Sequence, residues 1–112
     1  MTDAQREAMT RMFREAKAAE RQEGLFPLGR LTATPAALAA LRDTGGDIGG
    51  LLWQHSHGDW GVLGGEDWDA NDVAVKTGGR ILSSYSLKDG EKVWVITEAD
   101  RSSTCVLLPD DY

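Results

Sequence analysis

The hydrophobic period changes once along this chain, at Gly78-Gly79, and that change limits the fold more than any other feature. Before it, apolar residues recur at helical spacing. After it, they alternate, as on a strand with one buried face. Arg80 to Leu87 places Ile81, Ser83, Tyr85 and Leu87 on one side and Arg80, Leu82, Ser84 and Ser86 on the other. Asp89-Gly90 is a hairpin signal, Val93 to Glu98 a second strand, Asp100 to Ser103 a turn, and Thr104 to Leu108 a third strand ended by Pro109. The expected class is α+β: N-terminal helices followed by a three-stranded antiparallel β-meander. A two-residue Asp89-Gly90 loop would pair Tyr85 with Trp94, Ser83 with Ile96 and Leu82 with Thr97. Ser84 and Thr97 would then share a face, with Arg80 near the same end and Glu98 on the other side.

The helical part divides at its caps. Thr2 and Gln5 have the form of a capping box, and Met9, Met12, Phe13 and Ala16 make an apolar stripe at i, i+3, i+4 and i+7. Gly24 is placed to end this helix. The stripe packs on the body, or on a second copy to make a homodimer. Leu25 to Thr34 is a connector or short strand. Thr34-Pro35 opens a helix with Leu38 and Leu41 on its apolar face, and Gly45-Gly46 stops it. Asp47 can cap the next helix, in which Ile48, Leu51, Leu52 and His55 share the inward face and Gly58 is the C-cap. Glu66 to Thr77 is a further helix, with Trp68 and Val75 on one face and Asn71 between them. Residues 1–24 thus read as an N-terminal amphipathic helix and 25–112 as a single α+β domain with one modest core.

Net charge is 12 − 18 = −6. Residues 1–24 balance, five basic against five acidic, so the excess lies in 25–112. Asp59, Glu66, Asp67, Asp69 and Asp72 are its densest part. Such a surface repels nucleic acid at long range and suits a basic protein partner. No apolar run is long enough for a membrane span or leader, and the single Cys105 fits a reducing cytoplasm. Cys105 reads as a small buried strand residue.

The stretch Gln54 to Asp69, QHSHGDWGVLGGEDWD, concentrates the candidate chemistry. His55, His57 and Asp59 reach one metal only from an extended loop, and no third imidazole or thiolate is present. No metal and no cofactor is expected. Serine elbows, phosphate loops and dinucleotide fingerprints are absent. What remains is acid–base work: His55 as the proton-transfer group, Arg80 and Arg101 on a phosphate, Glu98 and Tyr85 assisting, Asp59 orienting the histidine. Trp60, Ser84 and Thr97 would complete the binding surface. That set suffices for metal-independent RNA cleavage. The alternative assigns the same residues to packing, a capped helix end and a salt-bridged turn, and leaves Asp67, Asp69 and Asp72 as a docking face.

The pieces LGRLTATP, His55 with GDWG, GGRILSSY, VWVITEADRSST and LLPDDY resemble a family of small bacterial proteins labelled plasmid-related and found near mobile elements. The resemblance spans Leu28 to Tyr112, 85 of 112 residues. It places His55 at the family's histidine and implies no defined activity. GGRILSSYSL and KVWVITEAD also resemble, more loosely, the central strands of the barnase, colicin-type and RelE-like ribonuclease fold. That likeness implies a metal-free site on the sheet face and RNA as substrate. Three readings follow: a mobile-element accessory endoribonuclease of toxin type, a non-catalytic anti-defence inhibitor of a host CRISPR or restriction effector, and a dimerising interaction module.

Overall fold

In the computed structural model, residues 2–11 and 24–112 are described. Residues 3–11 form helix α1, and the Thr2–Gln5 capping box closes in both directions, at 2.9 and 3.2 Å. Ala8 and Met9 pack against the core. Met12, Phe13 and Ala16 lie outside the described residues, as do residues 17–23 leading to the helix end expected at Gly24. Then follow β1 (Arg30–Ala33), α2 (Pro35–Thr44), α3 (Ile48–Ser56), α4 (Gly65–Thr77), β2 (Ile81–Ser86), β3 (Lys92–Thr97), β4 (Ser103–Leu107) and a 3-10 turn η1 (Pro109–Asp111). No helix among the described residues is long and apolar enough to cross a membrane.

The chain is α+β, and the meander β2-β3-β4 is present, but the sheet has a fourth strand. Its order is β1-β4-β3-β2, with β1 parallel to β4. The segment 25–34, open between connector and strand in the sequence, therefore extends the sheet and makes it mixed. Its parallel partner lies some seventy positions away, beyond the reach of local pattern. Thr34 joins three elements here. Its N–H donates to Val106 O at the end of β1, its Oγ1 accepts from Ala37 N to cap α2, and the same hydroxyl donates to Asp111 Oδ2 in η1. Gly45 in the left-handed region ends α2, as expected. Asp47 sits at the N-terminus of α3 in extended conformation, without the side-chain cap bond the sequence suggested.

The β2–β3 register differs by one residue from the expected one. Ile81 pairs with Thr97, Ser83 with Val95, and Tyr85 with Val93. The reason is the turn. Leu87 N–H donates to Glu91 O at 2.8 Å and Gly90 N–H to Leu87 O at 2.9 Å, so the loop is Lys88-Asp89-Gly90, with Gly90 at φ 86°. A three-residue loop with a left-handed glycine replaces the two-residue one, and one added residue turns every cross-strand pair over. Ser84 and Thr97 consequently lie on opposite faces. Glu98 lies on the outer face with Arg80, where the two form an ion pair at 3.8 Å.

The inner face carries Ile81, Ser83, Tyr85, Val93, Val95, Thr97, Thr104 and Val106, all buried. Leu38 and Leu41 of α2, with Ile48 and Leu52 of α3, bury against the same cluster. The outer edge of β2 is closed by two devices. Asn71, from the inward side of α4, donates its amide to Leu82 O at 2.7 Å and accepts Leu82 N–H at 3.2 Å, standing in for a neighbouring strand. Beyond it, Ser84 N–H donates to Trp60 O and Ser84 O accepts Val62 N–H, around Gly61. A Cβ on Gly61 would stand 1.9 Å from Ser84 O, so only glycine allows this approach. An edge strand whose polar groups are answered offers no template for pairing with a second chain. Replacing Asn71 with Ala removes both bonds and is expected to cost about 2–3 kcal/mol. Urea unfolding of the full chain checks this by a lowered midpoint at unchanged slope.

Candidate functional site

His55 sits in the last turn of α3 because Ile48, Leu51 and Leu52 set that face inward, and it is completely buried. Its ring lies edge-on to Phe26 and Trp60, with centroids at 5.3 and 5.9 Å. Both ring nitrogens meet hydroxyls of the inner sheet face. Nδ1 is 2.5 Å from Ser83 Oγ and Nε2 is 2.8 Å from Thr97 Oγ1. Thr97 Oγ1 is 2.7 Å from Thr104 Oγ1, which donates to Leu28 O at 2.6 Å.

This chain of bonds has one consistent direction. Leu28 O can only accept, so Thr104 spends its one hydrogen there. Thr97 must then donate to Thr104, and with its hydrogen spent it must accept from His55 Nε2–H. Nδ1 is therefore bare and accepts from Ser83 Oγ–H. The network specifies a neutral imidazole in one tautomer. Electrostatics agree: burial, with the charge of Arg101 adding to it, lowers the His55 pKa from 6.5 to about 3.

The other residues of the expected acid–base set lie elsewhere. Arg101 adopts φ 61°, in the left-handed region, and its guanidinium is spent on backbone carbonyls. Nη1 donates to Gly79 O at 2.6 Å and Glu98 O at 3.2 Å, and Nη2 to Ala74 O at 3.0 Å. A cation at the last carbonyls of α4 is favourable. The same group lies over the Phe26 ring at 5.3 Å. Arg80 and Glu98 are on the outer face of the sheet. Tyr85 donates its hydroxyl to Asp59 O at 2.7 Å, and burial pushes its phenol pKa upward.

Asp59 does not touch His55. Its carboxylate accepts Gly61 N–H and the Gln54 amide and so shapes the GDWG turn. Trp60 is fully buried, with Nε1–H donated to Asp72 at 3.0 Å. Thr97 is part of the His55 chain, whereas Ser84 belongs to the β2 edge. Two surface grooves, of about 510 and 250 Å³, include none of His55, Arg80, Tyr85, Glu98 or Arg101 among their lining residues. The five residues assembled in sequence as one acid–base site thus occupy three places: the sealed core, the end of α4 and the outer face of the sheet. Cys105, expected to be buried, is half-exposed on that outer face. Among the described residues no group of three His, Cys, Asp or Glu side chains could hold a metal ion.

Sequence reasoning missed Ser83, Thr104 and Asn71. Their signal was present in each case as a polar residue inside an apolar pattern: Ser83 between Ile81 and Tyr85, Thr104 ahead of Val106, and Asn71 between Trp68 and Val75.

Comparison with family models, with curated proteins and with solved structures finds no match to the chain.

His55 should carry the acid sensitivity of the fold. Its folded pKa is below its unfolded value, so the unfolded state binds more protons between about pH 3 and 6.5. His55 therefore favours the fold fully above that window, and its contribution falls by up to about 1.4 kcal/mol per pH unit as the pH drops through it. His55→Gln keeps an acceptor and a donor but cannot titrate. Denaturant unfolding from pH 7 to pH 4 should show a shallower loss for His55→Gln than for the parent. His55→Leu leaves the Ser83 and Thr97 hydroxyls unanswered and should lose about 2–4 kcal/mol at pH 7. Arg101→Gly relieves the left-handed backbone but loses the carbonyl clamp; a net loss of about 1–3 kcal/mol is expected in the same assay.

Proposed function

We propose that this chain is a non-catalytic binding protein, an anti-defence inhibitor whose acidic surface docks on the basic nucleic-acid channel of a host restriction or CRISPR effector. The observation that carries this reading is the state of the charged groups. His55 is sealed and bonded at both ring nitrogens as the neutral tautomer, while carboxylates of α4 stand exposed. Glu66 and Asp69, three residues apart, share the outward face of the helix with Val73, which is 58% exposed. Asp67 is exposed in the first turn. Among the described residues none of these three carboxylates enters an ion pair. Asp59 and Asp72, counted with them in sequence, are also exposed, but their carboxylates are engaged within the chain, by Gly61 N–H and the Gln54 amide and by Trp60 Nε1–H. The docking set is therefore Glu66, Asp67 and Asp69. Carboxylates presented on a rigid helix can take the place of phosphates against Lys and Arg, and they gain most in association rate at low salt.

The ribonuclease reading would need His55, Arg80 and Arg101 to converge on one phosphate. The arrangement above favours the inhibitor. The cytoplasm is the compartment in which such a target would be met.

Two measurements test the proposal. Well-folded protein incubated with total bacterial RNA in a metal chelator should leave it intact; cleavage that His55→Gln abolishes would restore the enzyme reading. Excess protein should displace a labelled 30-base-pair DNA from a purified type I restriction or CRISPR effector complex in fluorescence anisotropy. The triple variant Glu66→Gln, Asp67→Asn, Asp69→Asn should weaken that displacement at least tenfold. Equal displacement by the triple variant rules out the acidic face.

A further inference from the structure

The outer face of the sheet is the part of the molecule that the acidic-face reading does not use. The strand register lines up its side chains in rows across the sheet. One row is Thr32, Cys105, Ile96 and Leu82; the next is Arg30, Ser103, Glu98 and Arg80. The buried residues of α2, α3 and α4 join the core on the opposite face. Over the outer face the described residues supply the η1 turn and Tyr112.

Tyr112 is held there by three contacts. Its hydroxyl accepts from Arg80 Nη1 at 2.6 Å, its ring lies 5.2 Å from the guanidinium carbon, and it meets the Trp94 ring edge-on with centroids at 6.0 Å. Ile96, between Trp94 and Glu98 on the same side of β3, is buried. Yet Tyr112 itself is 70% exposed. A tyrosine both fixed and presented is unusual, because an exposed side chain normally keeps its rotamer freedom. Arg80 is also held and presented. Its Nε faces Glu98 at 3.8 Å and its Nη1 serves Tyr112, while Nη2 meets no acceptor among the described residues. Arg, Tyr and Trp are the residues that dominate protein-binding energy, and fixing them beforehand removes the entropy cost of ordering them on contact.

We propose that the Arg80–Tyr112–Trp94 cluster on the outer sheet face is a docking site for a short, carboxylate-bearing segment of a partner protein. This rests on the reading of the chain as a binding protein, and it adds a second surface to the acidic one. Charge selects the carboxylate. Arg30, Arg80 and Lys92 project from this face against Glu98; of the two η1 carboxylates, Asp111 is spent on Thr34 and on Leu108 N–H while Asp110 is exposed, so the open Nη2 edge of Arg80 is the group that calls for an acceptor. The segment's carboxylate would pair with the free edge of Arg80. Its aliphatic side chains would cover Leu82 and Cys105, both half-exposed.

Area selects a segment over a second copy. Four strands about 4.8 Å apart and roughly five residues long make a face of about 300 Å². Stable interfaces bury about 800 Å² on each partner. Ring geometry disfavours single-stranded RNA. Base stacking needs open ring faces, whereas one face of Tyr112 carries the guanidinium and Trp94 is half-buried in an edge-to-face pair with Tyr112.

The test selects a random twelve-residue peptide library, displayed on phage, against the full chain. Enriched peptides should carry Asp or Glu beside aliphatic residues. The synthetic amidated form of the leading peptide should bind at least tenfold more weakly to Arg80→Gln and to Tyr112→Ala, each checked for an unchanged thermal melt. It should also slow alkylation of Cys105, the chain's one cysteine, severalfold. Glu66→Gln with Asp69→Asn should bind it unchanged. Absence of acidic enrichment, or binding indifferent to Arg80→Gln, overturns the proposal. So does slowing of Cys105 alkylation by a ten-nucleotide uridine RNA and not by the peptide. Peptide binding lost in the Glu66/Asp69 variant but kept in Arg80→Gln overturns this site and leaves the acidic-face reading standing.

Discussion

The hydrogen-bond chain through His55 is the constraint on which the rest of the structure depends. It begins on β2, crosses α3, passes through β3 and β4, and ends on the backbone leading into β1. Every member is buried, so each polar atom left unanswered would cost more than a surface bond returns. The register of three strands and the rotation of α3 are thereby tied to one another. A one-residue slip of β2 would turn Ser83 to the outer face and leave Nδ1 without a donor. Hydrophobic burial supplies the bulk of the driving force, but a face of Val, Ile and Leu accepts several registers. The hydroxyl–imidazole chain accepts one.

Arg101 performs a related task at the rim. A residue other than glycine in the left-handed region carries backbone strain, and here it is offset by three carbonyl contacts, two of which join the β3–β4 turn to the end of α4. The same placement sets α4 along the free edge of β2, where Asn71 answers the strand's open peptide groups. Gly61 completes the closure. One edge of the sheet is thus protected without a fifth strand, by an amide side chain and a loop.

The result is a molecule with its charges sorted by face. The core side of the sheet holds a neutral imidazole and hydroxyls. The solvent face of α4 holds carboxylates. The outer side of the sheet holds Arg30, Arg80 and Lys92 around Glu98, with the Trp94 and Tyr112 rings beside them. Sorting of this kind follows from the register. Had Asp89-Gly90 made a two-residue loop, Thr97 would have faced outward with Arg80, and Glu98 would have pointed toward the helices. One left-handed glycine, Gly90, therefore decides which groups can meet at the surface.

Much of this was legible in the residues themselves. The change of period marked where helices give way to strands. Thr34-Pro35, Gly45 and Gly78 marked helix limits, and Ile48, Leu52 and His55 at helical spacing turned the histidine inward. These are local properties, set by backbone sterics and by which side of an element is apolar. Tertiary structure alone decided that residues 30–33 join the sheet, since a parallel neighbour seventy positions away leaves no local mark. It also decided the partners of each polar group. Arg101 and Arg80 look equivalent as letters, but one satisfies a helix end and the other stands in solvent. A sequence states which atoms can donate and accept; only packing brings a particular donor to a particular acceptor and excludes water from between them.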